Sequence, residues 1–340
     1  MPRRHPTPIR PWYWQWPMSE RLFFREAIAR AVGTAMADDP RVILLGQDVG
    51  AFGGSYREFA GLFDRFGAAR VRDMPVAELA MVGLAAGAAA AGLRPLVSIT
   101  YMDFVMLALD PLVNYAAKAQ WKTGGQIRVP MVLKLTAGAK GQGVAHSQSL
   151  EAWLMSVPGL TVVAPSDVED AHGLMRSALL ADGPVIYVDH KRLFPTAGIL
   201  HDPAPVPFGV ARLRRAGGHL TITAHGYSVG LAMQAAEALS AQGVQADVLD
   251  LRTLRPLDTA AIVASVGRTG ALLTVEEGQA TCGVGAEIAA QVYTALGPVR
   301  TARVAAAPIP ISSNPVLEAA CLPTPATIAA AALTLLEHRL

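Results

Sequence analysis

The chain has 340 residues, a net charge of +2 and only 16% charged residues, so it offers no basic footprint for nucleic acid. Its length suggests two domains, and a hydrophobic content of 52% beside so few charges predicts broad surfaces buried against other subunits. The two cysteines, Cys282 and Cys321, make neither a disulfide framework nor a metal spacing, which fits a reducing compartment and points to the cytoplasm. No apolar run is read as reaching a membrane span without interruption by Gly or charge.

Residues 1–18 are rich in Pro and Trp and lack the apolar core of a signal peptide. The expectation is an arm that packs Trp12, Tyr13, Trp14 and Trp16 on a partner, because exposed aromatic rings are costly to leave in water. Ser19 to Ala37 reads as a helix with Leu22, Phe23, Ala27, Ile28 and Ala31 on one stripe. Val42 to Leu45 is a short buried strand, and Gln47-Asp48 opens a Gly-rich loop at its carboxyl end, where open parallel sheets bind their ligands. A helix is expected over Glu58 to Phe66.

The segment Asp73-Met74-Pro75-Val76-Ala77-Glu78 organises the chain. Pro75 keeps Met74 out of helical geometry. Glu78 therefore falls in or just before the first turn of the helix that follows, where the macrodipole favours an anion. That helix, Leu79 to Gly92, is made of Ala, Gly, Leu, Met and Val, and each Gly costs roughly 1 kcal/mol relative to Ala. The expectation is a helix whose backbone lies close against another backbone. Glu78 is then either a helix-end charge facing water or a buried carboxylate in need of a partner.

Further strands are predicted at Leu96–Ile99, Met131–Leu135, Thr161–Ala164 and Val185–Val188. Helices are predicted over Asp110–Trp121, from His146-Ser147-Gln148-Ser149 onward, and over Val168–Ala181 after the N-cap Asp167. Residues 191–218, rich in Pro, Gly and Arg, read as a linker between a first domain over 19–190 and a second over 219–340. The second half repeats the alternation, with strands at Leu220–Ala224, Ala246–Asp250, Ala271–Val275 and Arg300–Val304. Its helices are Val229–Gln242, Asp258–Val266, Gly285–Leu296 and Pro315–Leu336. Strands alternating with helices of this length mean βαβ units, hence an α/β fold of two doubly wound, mostly parallel sheets.

Polar and aromatic residues gather at the predicted strand ends of the first half: Gln47 and Asp48, Glu78, Tyr101 with Phe104, and His146. A carboxylate, an aromatic and a histidine on separate loops at one end of a sheet can form a catalytic crevice. A lone His is as readily a structural hydrogen-bonder, and a lone Phe a core residue. Ser147 beside His146 lacks the Gly-x-Ser-x-Gly elbow of a hydrolase, and the eight His are scattered without HExxH or CxxC spacing. The Gly-rich loop Gly138 to Gly143 follows a strand but has no dinucleotide fingerprint around it.

These residues resemble a known family, the beta subunits of the thiamine-diphosphate-dependent first component of 2-oxo acid dehydrogenase complexes, which include the pyruvate, branched-chain and acetoin enzymes. The resemblance runs from about Leu22 to Leu335. It is carried by Val42-Ile43-Leu44-Leu45-Gly46-Gln47-Asp48-Val49, by Arg70 to Glu78, by Gly92-Leu93-Arg94-Pro95 and by Ala145-His146-Ser147-Gln148-Ser149. Pro158 to Ser166, Asp250 to Asp258, Gly283 to Ile288 and Leu322-Pro323-Thr324 extend it.

The resemblance implies a transketolase-like pyrimidine-binding domain followed by a transketolase-like C-terminal domain for dimerisation and partner docking. It implies that Glu78 hydrogen-bonds the pyrimidine nitrogen and so favours the imino tautomer that deprotonates the thiazolium carbon. Phe104 would stack on the pyrimidine, Gln47 and Tyr101 would lie near the cofactor, and His146 would serve near the substrate and the lipoyl arm as a proton donor or orienting group. The Gly-Asp-Gly motif that holds magnesium diphosphate is absent, so an alpha subunit would supply Mg2+ and that half of the site in an α2β2 heterotetramer. A lipoyl acyltransferase core would be a further partner, and a 2-oxo acid or acetoin the substrate.

Two departures stand out. Gln47 replaces the first of two acidic residues that in the family lie in a polar tunnel joining two active sites. Several members bind potassium through backbone carbonyls in the segment matching Ala178 to Pro184; the candidate acidic residue there, Asp182, lies within one position of the family register, so the resemblance leaves a K+ site open. The segment Val188 to Phe194 is closer to the acetoin and branched-chain pattern than to the pyruvate one. The rival readings are a non-oxidative synthase or decarboxylase subunit that passes its acyl carbanion to another acceptor, and a degenerate scaffold.

Overall fold

The structure, a computed structural model, describes residues 20–337; the aromatic arm expected at 1–18 lies outside them. The chain opens with strand β1 (Glu20–Phe23) and helix α1 (Phe24–Asp38), then β2 (Val42–Gly46), α2 (Leu62–Phe66), β3 (Val71–Asp73), α3 (Glu78–Ala90) and β4 (Arg94–Ile99). A 3-10 helix over Met102–Ala108 runs into a π-helix over Asp110–Ala116, followed by α4 (Ala119–Lys122), β5 (Val132–Ala137), α5 (Glu151–Met155), β6 (Thr161–Val163), α6 (Val168–Leu180) and β7 (Val185–His190). Strands β8 (Ala197–Leu200) and β9 (Arg212–Arg215) lead to β10 (Leu220–Ala224), α7 (Tyr227–Ser240), β11 (Ala246–Asp250), β12 (Thr253–Arg255) and α8 (Thr259–Thr269). The chain finishes with β13 (Ala271–Gln279), α9 (Val284–Leu296), β14 (Arg300–Ala306), α10 (Pro315–Cys321) and α11 (Pro325–Glu337).

Two mostly parallel sheets result, as the alternation predicts. The first has the order β12-β6-β7-β5-β4-β2-β3, and the second β14-β13-β10-β11-β9. Only the edge strands β12 and β9 run antiparallel. Neighbouring residues of the inner strands serve opposite faces. Leu45, Val97 and Leu133 pack with Met81, Val82 and Ala85 of α3, while Leu44, Leu96 and Val132 pack with α1 and α6. The α3-side core runs on into the second half through Leu249, Leu254, Ile262, Val284 and Ile288. Strand β12, although it follows the second sheet's β11 in sequence, adds to the first sheet beside β6. Arg214 and Arg252 add ion pairs across the same seam, to Asp167 at 2.5 Å and Asp170 at 2.6 Å.

Several local expectations are corrected. The helix expected from Ser19 begins at Phe24, because Glu20–Phe23 is extended, buries only Leu22 and pairs antiparallel with β8. The predicted helix at Glu58–Phe66 begins late: residues 58–61 are turn and α2 occupies only Leu62–Phe66. The stretch 191–218 carries β8 and β9 rather than being a bare connection. The helix expected over Pro315–Leu336 breaks into α10 and α11 around Pro323 and Pro325. This region also corrects the reading that no apolar run is long enough for a membrane: residues 319–336 carry neither charge nor Gly, and Pro315–Glu337 reaches 23 residues at mean hydropathy 1.6. Ile328, Ala332 and Leu335 bury one face of α11 in the core of the second sheet.

The two glycines of α3 do not lie close against another backbone among the described residues. A Cβ built on Gly87 meets nothing within 4 Å, and one on Gly83 only Pro111 at 3.9 Å. The glycines lie toward the outward side of α3, beside the exposed Leu79 and Leu84.

Candidate active site

The strand ends that sequence reasoning singled out are neighbours in space. Gln47 follows β2, Glu78 follows β3, Tyr101 and Phe104 follow β4, and His146 follows β5; these strands lie side by side in the order β5-β4-β2-β3. All four connections leave the sheet at its carboxyl edge, where parallel strands leave a crevice.

Glu78 is the first residue of α3. The turn before it is pinned to the end of β2 by Met74 N–H donating to Gly46 O at 2.8 Å. Glu78 is buried at 4% exposure, and no hydrogen bond or ion pair reaches its carboxylate among the described residues. Of the two readings left open above, burial is the one the structure bears out. A nearly buried carboxylate at the positive end of a thirteen-residue helix, without a partner among the described residues, is able to accept a hydrogen bond from a further group. Gln47 is half-buried beside this turn, and its amide Nε2 is buried without a partner.

Tyr101, Phe104 and His146 form one aromatic cluster. The His146 ring stands edge-on to Tyr101 at 4.5 Å and to Phe104 at 5.4 Å between centroids. Tyr101 Oη accepts from Gln142 Nε2 at 3.1 Å. All three rings are partly exposed, so they border open space rather than fill a core. Among the described residues no hydrogen bond or ring contact joins this cluster to Glu78 or Gln47, which lie beyond it across adjacent strand ends.

The helix expected to open at His146 starts instead at Glu151, so His146 rides a loop. That loop closes on itself through Gly138 N–H to Gln148 O at 3.3 Å. Gly138 has φ +90°, and a Cβ there would strike the His190 ring, so only glycine fits.

Five polar residues around and beneath the loop escaped the sequence reading. Asp103 accepts at Oδ1 from the N–H groups of Ser147 and Gln148 and from Gln148 Nε2, each at 3.1 Å. Lys191, fully buried, donates to Gly138 O at 2.7 Å and to His146 O. Burial pushes its ammonium down to about 8. Beneath the loop, Lys134 is also fully buried, 2.9 Å from Asp189 Oδ2 and 3.3 Å from Glu58 Oε1. Burial alone would lower Lys134, but Asp189 and Glu58 hold it above its ordinary value. The only sequence signal for these lysines is a charge within or just after an otherwise apolar strand.

Against the second half, His190 Nε2 lies 3.1 Å from Glu277 Oε2 and its ring stacks on Tyr227 at 4.9 Å. Burial pushes His225 there down to about 4 and Glu151 up to about 8. A groove of about 840 Å³ lies elsewhere along the seam, lined by Met155, Leu254, Pro256, Cys282 and Glu287, and holds none of the residues above. No cluster of three or more His, Cys, Asp or Glu among the described residues could hold a metal ion.

Comparison with known proteins adds to this geometry. The transketolase pyrimidine-binding domain matches residues 20–196, and the transketolase C-terminal domain matches residues 209–328. The pyruvate dehydrogenase E1 component subunit beta-2 of Oryza sativa subsp. japonica, a mitochondrial protein, is 40% identical over 307 residues, covering 87% of this chain and 82% of that one. The Rattus norvegicus subunit beta is 38% identical over 319 residues, with 90% and 88% covered. The Rickettsia bellii subunit beta is 40% identical over 272 residues, with 79% and 84% covered. Among solved structures, an inactive beta4 tetramer of a split-gene transketolase superposes with a TM-score of 0.79 at 24% identity, covering 92% of this chain and 98% of that one, a likeness of fold.

Proposed function

The chain belongs to the transketolase-like beta subunits of the E1 component of thiamine-diphosphate-dependent 2-oxo acid dehydrogenases, which act with an alpha subunit, and from this premise we propose that its Glu78, Phe104 and His146 form the beta-subunit half of the active site. The observation that carries the proposal is the buried, unpartnered carboxylate of Glu78 at a helix N-terminus, two strand ends from a half-open aromatic cluster. These residues fit the pyrimidine half of the cofactor: an acceptor for a ring nitrogen and a flat apolar face.

When bound, thiamine diphosphate supplies the nucleophilic carbon and the electron sink for loss of carbon dioxide from a 2-oxo acid. The chain's own residues supply the rest. Glu78 would hold the pyrimidine half through its carboxylate, the group at which a proton would be kept. Phe104 and Tyr101 exclude water from one side of the ring, and His146 carries a proton at its imidazole toward the substrate during acyl transfer to a lipoyl group. Gln47 leaves the neighbourhood of Glu78 with one negative charge fewer than an acidic residue would give.

The missing Gly-Asp-Gly supports Mg2+ and diphosphate binding by the alpha subunit. The exposed Val76, Leu79, Leu84 and Leu107 around α3 support burial of that side in an α2β2 assembly. Potassium is left out. The carbonyls of Leu179 and Ala181 accept from Arg94, and Asp182 is paired with Arg94 and Arg128, so this segment does not fit a further cation. Pyruvate is the first substrate to test, because the relatives are pyruvate enzymes by name; acetoin and branched-chain 2-oxo acids follow from the Val188–Phe194 pattern. Two unpaired cysteines, one of them exposed, support a cytoplasmic, reducing setting.

The test is dye reduction over a panel of 2-oxo acids and acetoin, with the chain alone and with its alpha subunit, in thiamine diphosphate and Mg2+. The expected result is activity only with the partner, highest on one substrate. Release of carbon dioxide without dye reduction would overturn the dehydrogenase reading in favour of the synthase.

A further inference from the structure

One peptide group carries two opposite charges at its ends. The carbonyl of His146 accepts from the Lys191 ammonium, and the N–H of the same peptide unit, on Ser147, donates to Asp103 Oδ1 at 3.1 Å. Both side chains are out of solvent, Lys191 at 0% and Asp103 at 2% exposure. Charge-assisted hydrogen bonds are roughly twice as strong as neutral ones, and in a dry site they fix direction as well as distance. Lys191 also holds Gly138 O at 2.7 Å, at the other end of the loop, while Asp103 takes two further donors from Gln148. The plane of the 146–147 peptide is thereby fixed; with the preceding peptide held by His146 N–H donating to Gly143 O at 3.1 Å, so is the direction in which the His146 Cβ leaves the backbone.

We propose that Lys191 and Asp103 are positioning residues for His146, gripping its peptide from opposite ends so that the imidazole stays edge-on between Tyr101 and Phe104. Asp103 directly precedes Phe104, so the segment that presents the aromatic face also anchors the histidine loop. The inference rests on the role given to His146 above. The start of the loop is held separately, by Ala139 N–H to Glu277 at 2.6 Å, Gly141 N–H to Glu318 at 2.5 Å and Arg192 to Ala139 O at 2.8 Å, whereas the charged anchors on the 146–147 peptide are Lys191 and Asp103.

The grip depends on pH. Lys191 is faced by Asp103 from the 3-10 segment, Glu277 from β13, Glu318 from α10 and Asp189 from β7, the strand that ends just before it, with Tyr101 under the ammonium at 5.0 Å. The carboxylates favour its charge, but burial is the larger effect and brings it to about 8. Removing the Asp103 charge lowers it further, because that carboxylate is the foremost of the opposite charges that raise it.

The test uses the complex reconstituted with its alpha subunit, thiamine diphosphate, Mg2+ and a lipoyl domain as acceptor. Wild type is expected to show an alkaline limb near pH 8 in lipoyl acylation. Lys191→Met should lower acylation at least about 10-fold, remove that limb and leave thiamine diphosphate affinity unchanged. Asp103→Asn should lower acylation less and move the limb to lower pH by about one unit. His146→Ala is the control. If it leaves acylation intact, the role of His146 fails, and this inference with it. If His146→Ala is slow while both other variants keep the wild-type rate and limb, the grip alone is overturned. Should Lys191→Met not assemble, the limb of Asp103→Asn decides: an unmoved limb overturns the grip.

Discussion

Glu78→Gln is expected to lower turnover by about 10²- to 10⁴-fold, the usual range for removing a group that holds a proton in the transition state. The substitution keeps shape and volume but removes the charge and the ability to take up a proton. It should leave the fold untouched, because the carboxylate has no protein partner to lose among the described residues and burying a neutral amide there is easier than burying an unpaired charge. The lost attraction to the helix N-terminus is worth only about 0.3–1 kcal/mol. Dye reduction with the alpha subunit present, alongside sedimentation of the complex, separates chemistry from assembly. Full activity in a well-assembled Glu78→Gln enzyme would remove Glu78 from the site.

The second large effect is on stability. Lys134→Met leaves Glu58 and Asp189 as two buried carboxylates without a cation, and breaking a buried pair in this way costs about 3–5 kcal/mol. The sign of its pH dependence follows from Asp189, whose carboxyl burial already pushes up against the pull of Lys134. With Lys134 gone, that push is unopposed. A carboxyl whose folded pKa lies above its unfolded value gives stability below the unfolded pKa and loses it as pH rises through the folded one. The deficit in Tm should therefore be small near pH 4 and grow toward neutrality. The double variant Lys134→Met/Asp189→Asn should recover part of it. A deficit independent of pH would assign the loss to packing between Phe59 and Phe194, over whose rings the ammonium lies, rather than to charge.

Much of the architecture is legible because inner strands such as Val42 to Leu45 and Val132 to Leu135 are buried on both faces and read as apolar runs. Strand β1 is not legible, since Leu22 and Phe23 fit a helical stripe as well as an edge strand, and the partner that decides is β8, far along the chain. The 3-10 and π segments over Met102–Ala116 have no periodicity that separates them from an α-helix. At the site, Glu78, Tyr101, Phe104 and His146 could be found because each follows a strand. Asp103 and Lys191 could not, because their role lies in a peptide group more than forty residues away and leaves no pattern in sequence.

The placement of β12 has a consequence for how the chain can be divided. The first sheet is not closed by the first half: its last strand comes from residues 253–255, beyond the connecting stretch. A protease nick in that stretch would leave two fragments still held by a shared sheet and by the common apolar core. A gene cut at the same place would make a first polypeptide with β6 as a bare edge, a template for unwanted strand pairing until its other half arrives.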